Sequence, residues 1–499
     1  MKLVWRFATL IFVSGCFVAV HAAKGGGRSN KNGEEPFLVV IGIVPGSVAA
    51  QLKIHEGDIL RAYNGNGVQS IEELEAAKNM AVDSVEVIID RGEENLSFMF
   101  PAGPMGLYLE QRLPELTYSS DAVMLQGIGP LKENDGMNNS YILSLTRASN
   151  FLKDNLDYTM LMGLSGAAFR FQISRDWSMM ATQASEGYRC DLAALKALGY
   201  EYKNLELEKT ENNRESMRQS ILQTIDAGSP VLGFGMTMYP DWGIITGYQR
   251  GGREFIVRTY RSLREGYTLA EAFPRKVCLI EGRTVPPTRR EAIVRSFAIA
   301  EEVLDTEKVS DYYCGMAGIN FWLQTLETGK FQDIPQEDFD TIVLTNYTMF
   351  TQLIEDRSFA ATYLERIAPE FPDVQAKLIS ISKLYKTEVE YLTAACDEDS
   401  CIPYPQEMTS QFDWTPEKRR SQINYLRFAR VQEDEALKLW REINAIHNPK
   451  PIEGEVPGQD TVPQTPVIQP EVQDTTPKEP VTPPPTEQPP SGRLPRGAQ

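Results

Sequence analysis

The sequence predicts an α+β chain: a small β-rich domain, a mixed sheet-and-helix middle, a large helical region and a disordered proline-rich tail. Three observations predict it. Short apolar runs separated by Gly, Asn and Asp turn signals fill residues 36–112, as in strands joined by tight turns. From about 288 to 446, apolar residues recur every three to four positions, the spacing of a buried helix stripe. From Pro449 onward, 14 of 51 residues are proline and aromatics are almost absent. Such a stretch cannot bury enough apolar surface to offset its ordering entropy.

The elements follow in order. Residues 1–22 read as a secretory signal: Lys2 and Arg6 flank the apolar run Phe7 to Val20, and the small residues Ala22 and Ala23 follow. The run is shorter than the roughly 18 apolar residues of a membrane span. An uncleaved anchor is the competing reading. Val13-Ser14-Gly15-Cys16 also resembles a bacterial lipobox with Cys16 as the lipidated residue. The apolar run continues through Phe17-Val18-Ala19-Val20, however, which favours cleavage near Ala22. The expectation is an exported chain, periplasmic or at the cell surface, touching the membrane only if Cys16 carries lipid. Residues 23–35 begin with a Gly-rich run and form a flexible linker.

A net charge of −18 repels phosphate backbones, so nucleic acid is excluded as a partner. Six cysteines occur. Cys396 and Cys401 are spaced to bridge a short loop in an oxidising compartment, or else remain two thiols. Cys190, Cys278 and Cys314 are isolated, and no Cys or His spacing suggests zinc. No metal or organic cofactor is expected.

In residues 36–112, Phe37 to Val44 reads as a strand, Pro45-Gly46-Ser47 as a turn, and Val48 to Leu52 as a short helix. Glu56 to Leu60 opens the next strand, and Asn64-Gly65-Asn66-Gly67 is a tight turn. Ser70 caps a helix over Ile71 to Met80, with Glu73 placed for a capping box. Val85 to Ile89 and Leu96 to Phe100 form a hairpin through Arg91-Gly92-Glu93. The stretch from Val44 to Leu74, with its turn, short helix, Gly-Asp and Asn-Gly, resembles bacterial PDZ domains. That resemblance implies capture of a peptide C-terminus by strand addition beside a nest of backbone N–H groups. No Gly-rich loop precedes Phe37. Gly103 to Leu109 looks like that loop and its strand, so the order is circularly permuted, with the binding strand last. Met105, Gly106, Leu107 and Tyr108 then become the binding segment, with the Gly106 and Leu107 N–H groups facing the carboxylate. Leu74 and Lys78 line the groove from the helix. The competing reading is that Gly106 only ends a linker strand. The expected partners are C-terminal or extended peptide segments of other proteins.

Residues 120–285 mix both patterns. Ser144 to Leu156 and Asp191 to Leu198 read as helices. Pro230 to Gly235, Trp242 to Tyr248 and Glu254 to Arg258 read as antiparallel strands. Met162 to Phe171 and the runs Pro230 to Gly235 and Asp241 to Tyr248 resemble papain-like cysteine peptidases, within them the family typified by the butirosin biosynthesis protein H N-terminal domain. In active relatives a Cys opens the first helix and a His begins the Trp242 strand. Here the helix start is Gly136-Met137-Asn138-Asn139-Ser140-Tyr141, and Tyr239-Pro240-Asp241 stands at the His position. The chain's three His are His21, His55 and His447, so no Cys–His dyad or Ser–His–Asp triad can be drawn from residues 120–285. Asn139, Ser140, Asp241 and Trp242 mark the remnant pocket. Cys190 reads as a buried structural thiol. Asp241 beside Trp242 reads as a solvated turn residue, with acid–base chemistry as the alternative.

Residues 286–446 read as helices over 289–304, 312–326, 338–354, 357–367, 374–395 and 416–446. Gly315 to Trp322 and Arg357 to Ala368 resemble elements that accompany the same family, which makes 120–446 one unit. Residues 447–499 are the tail. The expected function is peptide or protein binding with a peptidase-like scaffold lacking its dyad. A hydrolase or transferase using Asp or Ser is the alternative, and a cell-envelope structural protein the third.

Overall fold

The computed structural model describes residues 35–447 apart from 82, 133–135, 209, 261, 398–401 and 403–413. The leader with Cys16, Cys401 and the proline-rich tail lie outside the described residues, and so do the expectations placed on them. No helix among the described residues is long and apolar enough to cross a membrane. The α+β class holds, with helices and antiparallel sheets side by side.

The first sheet is built from β1 (Phe37–Ile43), β2 (Ile59–Tyr63), β3 (Asn66–Gly67), β4 (Val85–Arg91), β5 (Glu94–Phe100) and β6 (Leu107–Arg112). Helices α1 (Val48–Gln51) and α2 (Ile71–Asn79) complete it. Its order is β5-β4-β2-β1-β6, with β3 beside β2. The alternation in β4, which buries Val85, Val87 and Ile89, turns one face of the sheet onto a core shared with Leu38, Leu60 and Phe100. Ser70 caps α2 by accepting from the Glu73 N–H at 3.1 Å. The Glu73 carboxylate reaches back to the N–H of Gln69 rather than Ser70, so the box closes one residue early. Asp58 is 2% exposed. Burial pushes its carboxyl up, but paired bonds from Arg91 and the His55 N–H outweigh this and hold it below the usual range.

The rest of the described chain packs in three apolar clusters, and the largest, from Ile128 to Ile443, joins the sheet-bearing and helical stretches. After β7 (Val123–Met124) come α3 (Ser140–Phe151), α4 (Tyr158–Leu164), β8 (Gln172–Ser174), α5 (Cys190–Leu198), β9 (Tyr200–Glu206) and α6 (Glu211–Asp226). Then follow β10 (Val231–Phe234), β11 (Trp242–Gln249), β12 (Glu254–Arg258), β13 (Thr268–Leu269) and β14 (Lys276–Arg283). The second sheet runs β13-β12-β11-β10-β14-β9, with β7 on β11. The helical stretch holds α7 (Arg289–Asp305), β15 (Lys308–Val309), β16 (Tyr312–Cys314), α8 (Gly315–Thr328), α9 (Gln336–Ile367), α10 (Gln375–Asp397) and α11 (Pro416–His447).

Three expectations change. Helix α3 starts at Ser140, not Ser144, because Asn139 accepts from the Ile142 N–H at 3.2 Å and caps it there. The helix expected over 312–326 begins only at Gly315, since Tyr312 to Cys314 pair with β8 as a strand. The helices expected over 338–354 and 357–367 are one continuous helix, α9, through Glu355-Asp356-Arg357.

Candidate functional site

Two places gather the expected residues. The first is the end of the β1–β6 sheet. Strand β6 pairs with β1 from Phe37↔Arg112 to Ile43↔Leu107, and no other described strand pairs with β6. Its outer edge therefore carries the hydrogen-bonding row that a further strand would use. The loop before it is pinned to the first turn of α1. The carbonyl of Gly106 accepts from Val44 N–H at 2.9 Å, and that of Met105 from Ala49 N–H at 3.3 Å. Gly106 sits at φ +77°, a backbone state that favours glycine. Leu74, Met105 and Leu107 join one apolar cluster. Leu74 is 1% exposed, so it belongs to the core beneath the sheet rather than to an open rim. One turn further on, the Lys78 ammonium lies 2.7 Å from Glu75. Tyr108 is 42% exposed and projects from the face of β6 opposite Leu107.

The second place is where α3 and β11 begin. The Trp242 N–H donates to Ser140 Oγ at 3.1 Å, so the two starts touch. The Trp242 ring is clamped: Nε1 donates to Ser185 Oγ at 3.2 Å, and Tyr141 stands edge-on at 4.9 Å. The cavity beside Asp241 and Trp242, closed by Met236, Thr237, Thr259 and Tyr260, measures about 10 Å³. That is room for one water and not for a substrate. His55 is exposed beside Asp58, and His447 neighbours Phe297, Phe371 and Asp373, so neither belongs to this place. Burial pushes the thiols of Cys190 and Cys278 up to about 12, which leaves no thiolate at neutral pH.

The group that sequence reasoning missed here comes from the helical stretch. Glu355 of α9 accepts from the Asn138 backbone N–H at 2.7 Å and from the Tyr158 hydroxyl at 3.2 Å. The Tyr158 hydroxyl in turn accepts from the Asn139 N–H at 3.0 Å. Burial pushes the Glu355 carboxyl up to about 7, and the bonds from Asn138 and Tyr158 offset only part of that. A carboxyl that titrates near neutrality can give or take a proton. The available signal was a Glu-Asp-Arg triplet inside an apolar stripe. Among the described residues no group of three or more His, Cys, Asp or Glu could hold a metal ion.

The fold and these two places define an α+β protein with a sheet edge at β6 and a polar junction where α3 and β11 begin. No family model matches the chain, and no curated protein is similar to it.

The raised Glu355 carboxyl gives a first expected result. Its folded-state value lies above the ordinary one near 4.5, so its contribution to stability is complete below that value and is lost as pH rises through about 7. Glu355→Gln keeps an acceptor and removes the charge. It is expected to flatten the fall of Tm between about pH 4.5 and 7 and to be more stable than the parent at pH 8, on the order of 1 kcal/mol once partial exposure is allowed for. Parallel Tm–pH curves for the two proteins would show that Glu355 is not the titrating group.

Proposed function

We propose that the chain is an exported peptide-binding protein in which residues 36–112 act as a circularly permuted PDZ-like domain. Residues 120–446 then serve as a peptidase-like scaffold without a catalytic pair. The observation that carries this reading is the unpaired β6 edge entered through Gly106 at positive φ. A ligand carboxylate would sit at the Gly106 and Leu107 N–H groups, and the ligand backbone would extend the sheet along β6. Leu74 of α2 and Leu107 of β6 join one apolar cluster, suited to an apolar terminal side chain. The scaffold half of the reading is supported by the cavity of about 10 Å³ at Asp241 and Trp242 and by the neutral buried thiols.

The test is a titration of the full chain with peptides carrying free or amidated C-termini. Free-carboxyl peptides are expected to bind at least about tenfold more tightly, a difference of 1.4 kcal/mol. Equal affinity of the amidated set removes the carboxylate nest from the reading.

A further inference from the structure

Resting on the strand-addition reading above, we infer that β6 takes an extended C-terminal tail that is basic several residues before its end, and that this basic segment docks against Glu110 and Glu265. A ligand with its carboxylate at the Gly106 end must run antiparallel to β6, since its last residue lies at the strand's first. Strand β6 has six residues. At about 3.3 Å per residue it spans roughly 20 Å, so a ligand residue about five or six before the terminus reaches Arg112.

That end of the track is not solvent alone. Just past β6, the Leu113 N–H donates to the Leu263 carbonyl at 2.8 Å, which brings the loop after β12 against the strand end. Arg112 bridges the two sides: one guanidinium nitrogen is 2.6 Å from Glu110 and another 3.0 Å from Glu265. Glu110 and Arg112 share the face of β6 that also carries Tyr108. One guanidinium thus serves two carboxylates. The Glu110 side chain is 40% exposed and that of Glu265 is 69% exposed, so both keep lone pairs open to a ligand. The two described arginines nearby, Arg258 and Arg264, add little opposing charge at the rim. Arg264 is 6% exposed, and Arg258 is turned inward onto the carbonyls of Glu265 and Gly266 and the Tyr267 ring. Among the described residues, the exposed charge at the end of the track is therefore mainly acidic. It favours lysine or arginine on the arriving tail and rejects an acidic one. Binding would then draw on both the PDZ-like sheet and the loop 262–266, which a four-residue ligand cannot reach.

The test immobilises the full-length chain and offers three peptide pools with free carboxyl ends. One pool is four random residues. The second and third place Gly-Lys-Lys-Gly or Gly-Glu-Glu-Gly before the same four. At low salt, the lysine pool is expected to be retained about tenfold more than the glutamate pool and about threefold more than the four-residue pool. Glu110→Gln with Glu265→Gln should reduce both ratios towards unity, as should about 0.5 M salt. Equal retention of all three pools, or a lysine preference that survives the double variant, overturns the inference and leaves the groove reading standing. No retention of any pool, or equal retention of amidated pools, overturns the groove reading and the inference with it.

Discussion

Arg357→Met is expected to destabilise the α9–α10–α11 bundle by about 3–5 kcal/mol, while Glu388→Gln on the facing helix changes stability by less than about 1 kcal/mol. Arg357, Glu388 and Glu433 are all fully buried, one from each helix. Arg357 Nε bonds Glu433, and its Nη1 donates to the Ala168 carbonyl at 2.8 Å. Glu388 has no hydrogen-bond partner on either carboxylate oxygen. Two carboxylates thus share one guanidinium in the buried core. Burial, then the neighbouring Glu433, push the Glu388 carboxyl well above its ordinary value, with Arg357 only partly offsetting them. Burial also raises Glu433, against the pull of Arg357. Burial thus favours the neutral form of Glu388, of which the amide is a near-isostere. Removing Arg357 instead strands Glu433 without a counter-charge.

The sign of the pH dependence follows. A carboxyl with a raised folded-state value contributes stability that is complete at low pH and lost as pH climbs through that value. The parent should weaken on the alkaline side, and Glu388→Gln should weaken less. Urea unfolding at pH 6, 7.5 and 9, read by far-UV circular dichroism, checks both statements. A Glu388→Gln protein as damaged as Arg357→Met at pH 7.5 would mean that Glu388 is the charged partner.

The same cluster explains what the sequence hid. The charged triplet Glu355-Asp356-Arg357 reads as an interruption of an apolar stripe, which is why α9 looks like two helices. In the fold, Asp356 and Arg357 are buried and Glu355 is partly so, and each meets groups from distant segments. Pairing partners 76 to 217 positions away leave no local mark. Helix α3 was misplaced for a related reason: nine of its twelve residues are buried, from Ser140 to Ser149, so it has little polar face to mark its period. Where one face is wet, the reading held. The β4–β5 hairpin and the Ser70 cap could be read from alternation and turn residues, whereas the antiparallel β10–β11–β12 run, buried on both faces, shows only as short apolar runs between turns. The contact of Ser140 with Trp242 leaves no local mark, because no periodicity links residues 102 positions apart.

Gly106→Ala is expected to weaken capture of free-carboxyl peptides by about tenfold or more, with a loss of stability of at least about 1–2 kcal/mol from the backbone alone. At φ +77° an L side chain is strained whatever the space around it. Here there is no space either: a Cβ on Gly106 would overlap Cβ and Oγ of Ser47. Ser47 cannot simply retreat, because its Oγ accepts from the Ala50 N–H at 3.3 Å and caps α1. The two costs can be separated. Ser47→Gly leaves glycine at the cap, a change worth only a few tenths of a kcal/mol. It removes the atoms that the new methyl would strike. In the double variant, Ser47→Gly with Gly106→Ala, the overlap is gone and the φ strain remains. If the loop presents its N–H groups to a carboxylate, the double variant should recover the part of the Tm lost to the overlap but not the affinity, since the strain left at position 106 re-aims the Leu107 N–H. Affinity restored in step with Tm would mean that Gly106 matters for packing against α1 alone, and that the carboxylate is held somewhere else.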